Sequence, residues 1–193
     1  HYPNLKMSEL IGEVVAVYVG DRPDVLKSAR DSIEFNLEGI VGDRHAGFTK
    51  KAGVRDKKPI PKGAMVRNWR QWSAVSIEEM NIIAQNLGVE ELDSGLIGAN
   101  FALSGIERFS QLPRGSMLWF PQDAILVVEE TNEPCTTAGE GIQTAYAEIK
   151  PEDFPKAAIG IRGLVGIVHR SGTVRAGDIV RVQVYQPKSY FIT

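Results

Sequence analysis

The strongest constraint in this chain is its punctuation. Glycine or proline closes almost every apolar run before it is long enough for a helix. Residues 13–19 (EVVAVYV) stop at Gly20-Asp21-Arg22-Pro23, and residues 32–37 alternate, with Ile33, Phe35 and Leu37 on one face. Residues 71–75, 101–103, 116–120, 124–128, 163–169 and 179–185 are likewise short and rich in branched or aromatic side chains, as strands are. One stretch reads differently. Ser76 and Glu79 form a capping box, Ile77, Met80, Ile83, Ala84 and Leu87 follow at helical spacing, and Gly88 closes the turn. Residues 141–150 and 151–158 carry weaker helical character. Many short strands, one strong helix and no βαβ rhythm predict a β-rich fold, a single twisted, barrel-like domain.

Composition narrows the function classes. A chain of 193 residues with 43% hydrophobic content can bury the core of one ordinary domain. The net charge of -2 gives no global attraction to nucleic acid or to a membrane surface. No apolar run approaches the roughly 20 residues that span a bilayer, and the start has no signal-peptide core. The single cysteine excludes an intramolecular disulfide and suits a reducing compartment, so a cytoplasmic protein is expected. Residues 1–6 read as a remnant ahead of a natural start at Met7, with 7–193 as one domain. Charge is unevenly placed. Residues 44–70 hold nine Lys or Arg and one acid, a balance of +8, which leaves -10 for the rest. Pro59 and Pro61 mark the basic stretch at about 48–70 as a long loop inserted into the domain. It is either a lid over an anion or a solvated insertion. Its cations lack helical spacing and have few aromatics among them (Phe48 and Trp69), so it does not read as a nucleic-acid surface.

The chemistry-bearing candidates sit on turns. Cys135 follows a buried strand-like run and Pro134, where a thiol is well placed for sulfur chemistry or metal ligation; a plain packing role stays open beside that. Asp43, Arg44 and His45 lie in a nine-residue segment, 39–47, with three glycines. Solvated turn charges would look the same. Asn100 stands between Gly98 and a strand, where it serves as a turn residue or a ligand group. Arg162, in Gly160-Ile161-Arg162-Gly163, either grips an anion or pairs with an acid across the hairpin. His169 reads as a solvent-facing strand residue, and Asp178 as a turn cap beside the turns at Ser171-Gly172 and Gly177.

In order along the chain, GIVGDRH (39–45), GAN (98–100), GSML (115–118), EPC (133–135), GIRGLVGIV (160–168) and GTVRAGD (172–178) resemble the MOSC domain. This is the domain at the C-terminus of molybdenum cofactor sulfurases, in the amidoxime-reducing molybdoenzymes, and in stand-alone bacterial proteins, which this chain looks like. The resemblance runs from about Val14 to Val184. It implies a barrel-like fold and a molybdopterin-type cofactor. Cys135 would be sulfur carrier or molybdenum ligand, and the catalytic residue. Arg44, His45, Asn100 and Arg162 would bind the cofactor, with Asp43 behind them as an orienting group. It implies an enzyme of sulfur transfer or of reduction of N-hydroxylated compounds, served by a sulfur donor or an electron-transfer partner. Two departures stand out: members usually carry a glutamate where Ala99 stands, and the basic insertion after His45 is long. Nothing resembles a pyridoxal-phosphate site, so sulfur would come from a donor. Two readings without the cofactor compete: a cysteine hydrolase or transferase with His45 or His169 as base, and a non-catalytic binding module.

Overall fold

A computed structural model describes residues 9–56 and 59–190. The expectation for residues 1–6 and for Met7 falls outside the described residues. The strands in chain order are β1 (Glu9–Val19), β2 (Ser28–Arg30), β3 (Ser32–Asn36), β4 (Gly39–Ile40), β5 (Thr49–Lys51), β6 (Met65–Arg67) and β7 (Trp72–Ser76), followed by helix α1 (Ile77–Leu87). Then come β8 (Phe101–Ser104), β9 (Met117–Trp119), β10 (Ile125–Thr131), α2 (Thr136–Gln143), α3 (Asp153–Ala157), β11 (Leu164–Arg170), β12 (Gly172–Arg175) and β13 (Ile179–Gln183).

The main sheet runs β13-β9-β10-β11-β7-β8-β1-β2, and β13 also pairs with β1, which closes β1, β13, β9, β10, β11, β7 and β8 into a barrel. All of its ladders are antiparallel except β7–β8. That exception explains the lone strong helix. Parallel strands need a crossover, and α1 supplies it, so one βαβ unit sits inside an otherwise antiparallel barrel. Ser76 Oγ accepts from the Glu79 amide at 3.1 Å and Gly88 closes the helix with a left-handed φ of 73°, as the capping residues imply.

Two expectations are corrected. The segment expected as an irregular basic loop holds a hairpin, with Thr49–Lys51 paired to Met65–Arg67 and the prolines confined to its tip. Ser171-Gly172 does not turn a hairpin back on itself. It passes the chain from β11 in the barrel to β12, which pairs with β3 in a separate sheet, β12-β3-β4.

Alternation decides what faces where. Trp72, Ala74, Phe101, Leu103 and Leu164 point into the barrel, where the Trp72 and Phe101 rings meet at a tilt with centroids 5.6 Å apart and Phe35 and Phe120 meet the Phe101 ring edge-on. Each such aromatic pair adds about 1 kcal/mol beyond its burial. The interior is a packed core of buried aromatic and aliphatic side chains. Val75 and Ala102, one residue out of phase, join α1, α2 and α3 in a second core on the outside of the wall. Among the described residues no helix is long and apolar enough to cross a membrane.

Candidate functional site

With the interior filled, a binding site has to lie outside the wall. A cavity of about 260 Å³ does, between the outer face of β7 and β11, Asn100 just ahead of β8, and the start of α2. Ser73, Asn100 and Val165 lie in its floor, out of phase with their inward neighbours, while Cys135, Thr137 and Ala138 form one side. The candidates that sit on turns in the sequence meet in a cleft on the wall, while the barrel interior is filled by core side chains.

Cys135 caps the N-terminus of α2 with extended backbone (φ -142°, ψ 161°), is half-buried, and has no side-chain capping bond. Burial alone would raise its thiol. The Ala138 amide, the charges of Arg55 and Arg162 and the Thr137 amide outweigh it and bring the pKa below the ordinary thiol value. The helix was expected over 141–150 but spans Thr136–Gln143. Its glycines hid it from periodicity, and packing requires them: a Cβ on Gly141 would sit 2.0 Å from the Leu96 carbonyl oxygen.

Arg162 is 6% exposed. One guanidinium nitrogen donates to the Ile97 carbonyl at 2.7 Å; Nε and the other terminal nitrogen are buried without a partner. Among the described residues no carboxylate pairs with it across the hairpin. Burial, with Arg70 and Arg55 nearby, pulls its pKa down to about 10. A buried guanidinium with two unused donors is costly unless a ligand takes them. The next residue, Gly163, holds a positive φ of 94°, and its amide donates to Ser110 Oγ at 2.7 Å, which fixes the turn that aims Arg162.

Asp43 lies behind the cleft, its side chain fully buried. It accepts from the Gly20 amide at 3.0 Å, the Asn100 amide nitrogen at 2.9 Å, the His45 backbone amide at 3.1 Å and Lys27 Nζ at 3.0 Å, and its second oxygen lies 3.3 Å from His45 Nδ1. Burial alone would raise this carboxyl; the His45 bond, Lys27 and the Gly20 amide hold it well below the usual carboxylate range. Lys27, lowered to about 8 by burial against the pull of Asp43, is a member sequence reasoning missed. Nothing near it in sequence signals a buried ammonium. Asn100 has each polar atom engaged, since Oδ1 also accepts from the Ser73 amide at 3.0 Å. It forms part of the cleft as a strut. His45 keeps 44% of its side chain accessible, and desolvation in the cleft, aided by Lys27 and Arg44, lowers its pKa. Arg44 is exposed at the rim and donates to the Pro23 carbonyl.

The cleft therefore brings together Cys135, Arg44, His45, Asn100 and Arg162, with Asp43 behind them, and adds Arg55 and Arg70, which had been counted only as charges of the basic stretch. No carboxylate lies among the described residues that line it. Nor does any cluster of three or more His, Cys, Asp or Glu stand ready to hold a metal by itself among the described residues.

These features define a filled β-barrel protein whose one thiol faces a cationic cleft on the outer wall. The MOSC domain model matches residues 61–181, so the chain belongs to the MOSC domain family. It is 41% identical over 175 residues to YuaD of Bacillus subtilis (strain 168), a protein provisionally named for metal-sulfur cluster biosynthesis, covering 89% of this chain and 90% of YuaD. The crystal structure of YuaD superposes with a TM-score of 0.89 at 38% identity, over 93% of this chain and 100% of that one. YiiM from Geobacillus stearothermophilus (TM-score 0.61, 16% identity, 89% of this chain and 74% of that one) shares the fold.

Proposed function

We propose that this chain binds a molybdopterin-type cofactor in the Cys135 cleft and uses the thiolate as molybdenum ligand or as carrier of sulfane sulfur. The observation that carries the reading is Arg162, with two buried, unpartnered donors beside a half-buried cysteine in a cleft whose described lining holds no carboxylate. Such a site fits a group that is anionic and soft at once. A phosphate takes the guanidinium fork bidentately, and a thiolate suits a soft metal. Arg162 would hold the anionic part with its two free donors, and Cys135 the metal or the sulfur. His45, braced by Asp43, would exchange a proton at the atom facing the cleft. When bound, the group supplies a redox centre, and reduction of N-hydroxylated compounds then needs an electron-transfer partner, as sulfur transfer needs a donor. A working thiolate suits the reducing cytoplasm.

The metal-free hydrolase reading has less support. Among the described residues no hydrogen bond joins Cys135 Sγ to His45, and His169 lies exposed on β11, outside the cleft lining. The test is metal, pterin and persulfide analysis of protein made in a host that produces the cofactor. Wild type is expected to retain molybdenum or carry a persulfide, and Cys135→Ala and Arg162→Met to lose it. Absence of molybdenum, pterin and persulfide from the wild type refutes the reading.

A further inference from the structure

The cleft holds more positive charge than one phosphate-bearing group consumes. The Cys135 cavity opens into a second, of about 370 Å³, formed under hairpin β5–β6. The two share Arg44, His45, Arg55 and Arg70; the outer one adds Lys50, Lys51, Asn68 and Asp56. Its only carboxylate among the described residues is already engaged. Asp56 accepts from Lys50 at 2.5 Å, from the Gly53 amide at 2.7 Å and from Trp69 Nε1 at 3.0 Å.

At the boundary between the cavities, two guanidinium groups meet on one neutral acceptor. Asn132 Oδ1 accepts from Arg70 at 2.8 Å and from Arg55 at 3.4 Å. Asn132 is 1% exposed and is itself fixed, its backbone amide donating to the Gly163 carbonyl at 2.9 Å and its side-chain amide to Ser73 Oγ at 3.3 Å. Arg55 is tied further to the Glu133 carbonyl at 3.1 Å. A carboxylate at position 132 would neutralise the pair, whereas an amide positions it and leaves its charge unspent. The hairpin that brings Arg55 is anchored too, because the Asn68 side chain donates to the carbonyls of His45 and Gly47 at 2.8 and 3.0 Å. Like charges held this close, on a built support, mark an anion receptor.

We propose that Arg55, Arg70 and Lys51 form a second anion subsite, distinct from the Arg162–Cys135 half of the cleft, that binds a phosphate or carboxylate group of the substrate. The substrate class is then a small anionic molecule with its reacting end toward Cys135. This rests on the reading that the inner half holds the cofactor, and the experiment separates the two.

Holoprotein is titrated calorimetrically with phenyl phosphate, benzoate and benzamide, one ring bearing a phosphate, a carboxylate or a neutral amide, while molybdenum and pterin are measured on each sample. A charge-assisted contact implies that at least one anion binds about tenfold tighter than benzamide. The two anion arms tell phosphate from carboxylate. Arg55→Met is expected to remove the preference, and Arg55→Lys to keep part of it. Lys51 lines the outer cavity and not the inner one, so Lys51→Met is expected to weaken the anion about threefold with cofactor content unchanged. Equal binding of anions and benzamide by cofactor-loaded wild type overturns the subsite and leaves the cofactor reading standing. An Arg55- and Lys51-dependent preference in protein that never loads cofactor does the reverse. A preference that both Met variants retain also overturns the subsite.

Discussion

The Lys27–Asp43 pair gives the most demanding test of how the cleft is supported. Its two side chains are 1% and 0% exposed and 3.0 Å apart. Asp43→Asn keeps the shape but removes the charge, leaving an ammonium sealed in protein. Breaking a buried pair by removing one partner costs about 3–5 kcal/mol. In a chain of this size each kcal/mol moves the melting temperature by about 2–4 °C, so D43N is expected to melt about 6–20 °C lower. Lys27→Met is expected to cost less, about 1.5–3 kcal/mol, because the carboxylate keeps its donors from Gly20, His45 and Asn100. The double variant removes both buried charges and must cost less than the sum of the singles by at least about 1 kcal/mol. Urea unfolding followed by tryptophan fluorescence and by circular dichroism measures all four proteins. A D43N loss under about 1 kcal/mol, or strict additivity in the double variant, would refute the claim that this pair braces the cleft.

The Asp43 carboxyl is held below its ordinary value of 3.8, so the unfolded chain takes up its proton first as pH falls. Its contribution is complete above that value and is lost in acid; thermal scans between about pH 5 and pH 3 should show a steeper fall in wild type than in the Lys27→Met/Asp43→Asn double variant. The Cys135 thiol is lowered partly by Arg162, so half-maximal alkylation by iodoacetamide should lie below the free-thiol value of about 8.5 and rise in Arg162→Met; an unchanged profile counts against the pairing. Cys135→Ala, at a half-buried position, should cost under about 1.5 kcal/mol while abolishing alkylation and any bound sulfur. Gly163→Ala should cost about 3 kcal/mol or more, because its Cβ would lie 2.0 Å from the Ala74 carbonyl oxygen. Gly160→Ala has a similar positive φ but open space around it, and should cost only about 1–2 kcal/mol.

Local patterns carried the fold further than the site. The Ser76 cap, the α1 periodicity and the alternation of Ile33 and Phe35 in β3 are short-range features, and each element lies where those residues imply, except that Leu37 falls past the end of β3 and is exposed. Barrel closure and the parallel β7–β8 pair depend on contacts far apart in sequence, for which a short window holds no signal. The β5–β6 hairpin was hidden because its strands carry Lys50, Lys51 and Arg67 in place of branched apolar residues, with stability drawn from the ladder and from Arg67 over the Phe48 ring at 3.8 Å. At the site, residue type was visible but direction was not. Arg55 and Arg70 looked like two charges among nine until the fold set both on Asn132, which no motif singled out. Lys27 had no motif at all; only the position of Asp43 explains a buried ammonium there.

The seam between β1 and β13 has a consequence for synthesis. Glu9 pairs with Gln183, so the barrel is stitched by nearly the widest sequence separation the described chain offers. Until β13 leaves the ribosome, β1 and β9 each present a raw edge that any other strand could occupy. Closure of so long a loop is slow compared with hairpin formation. Nascent chains halted before β13 are therefore the species most prone to cross-pair, and they should depend on chaperones in a way the finished protein does not.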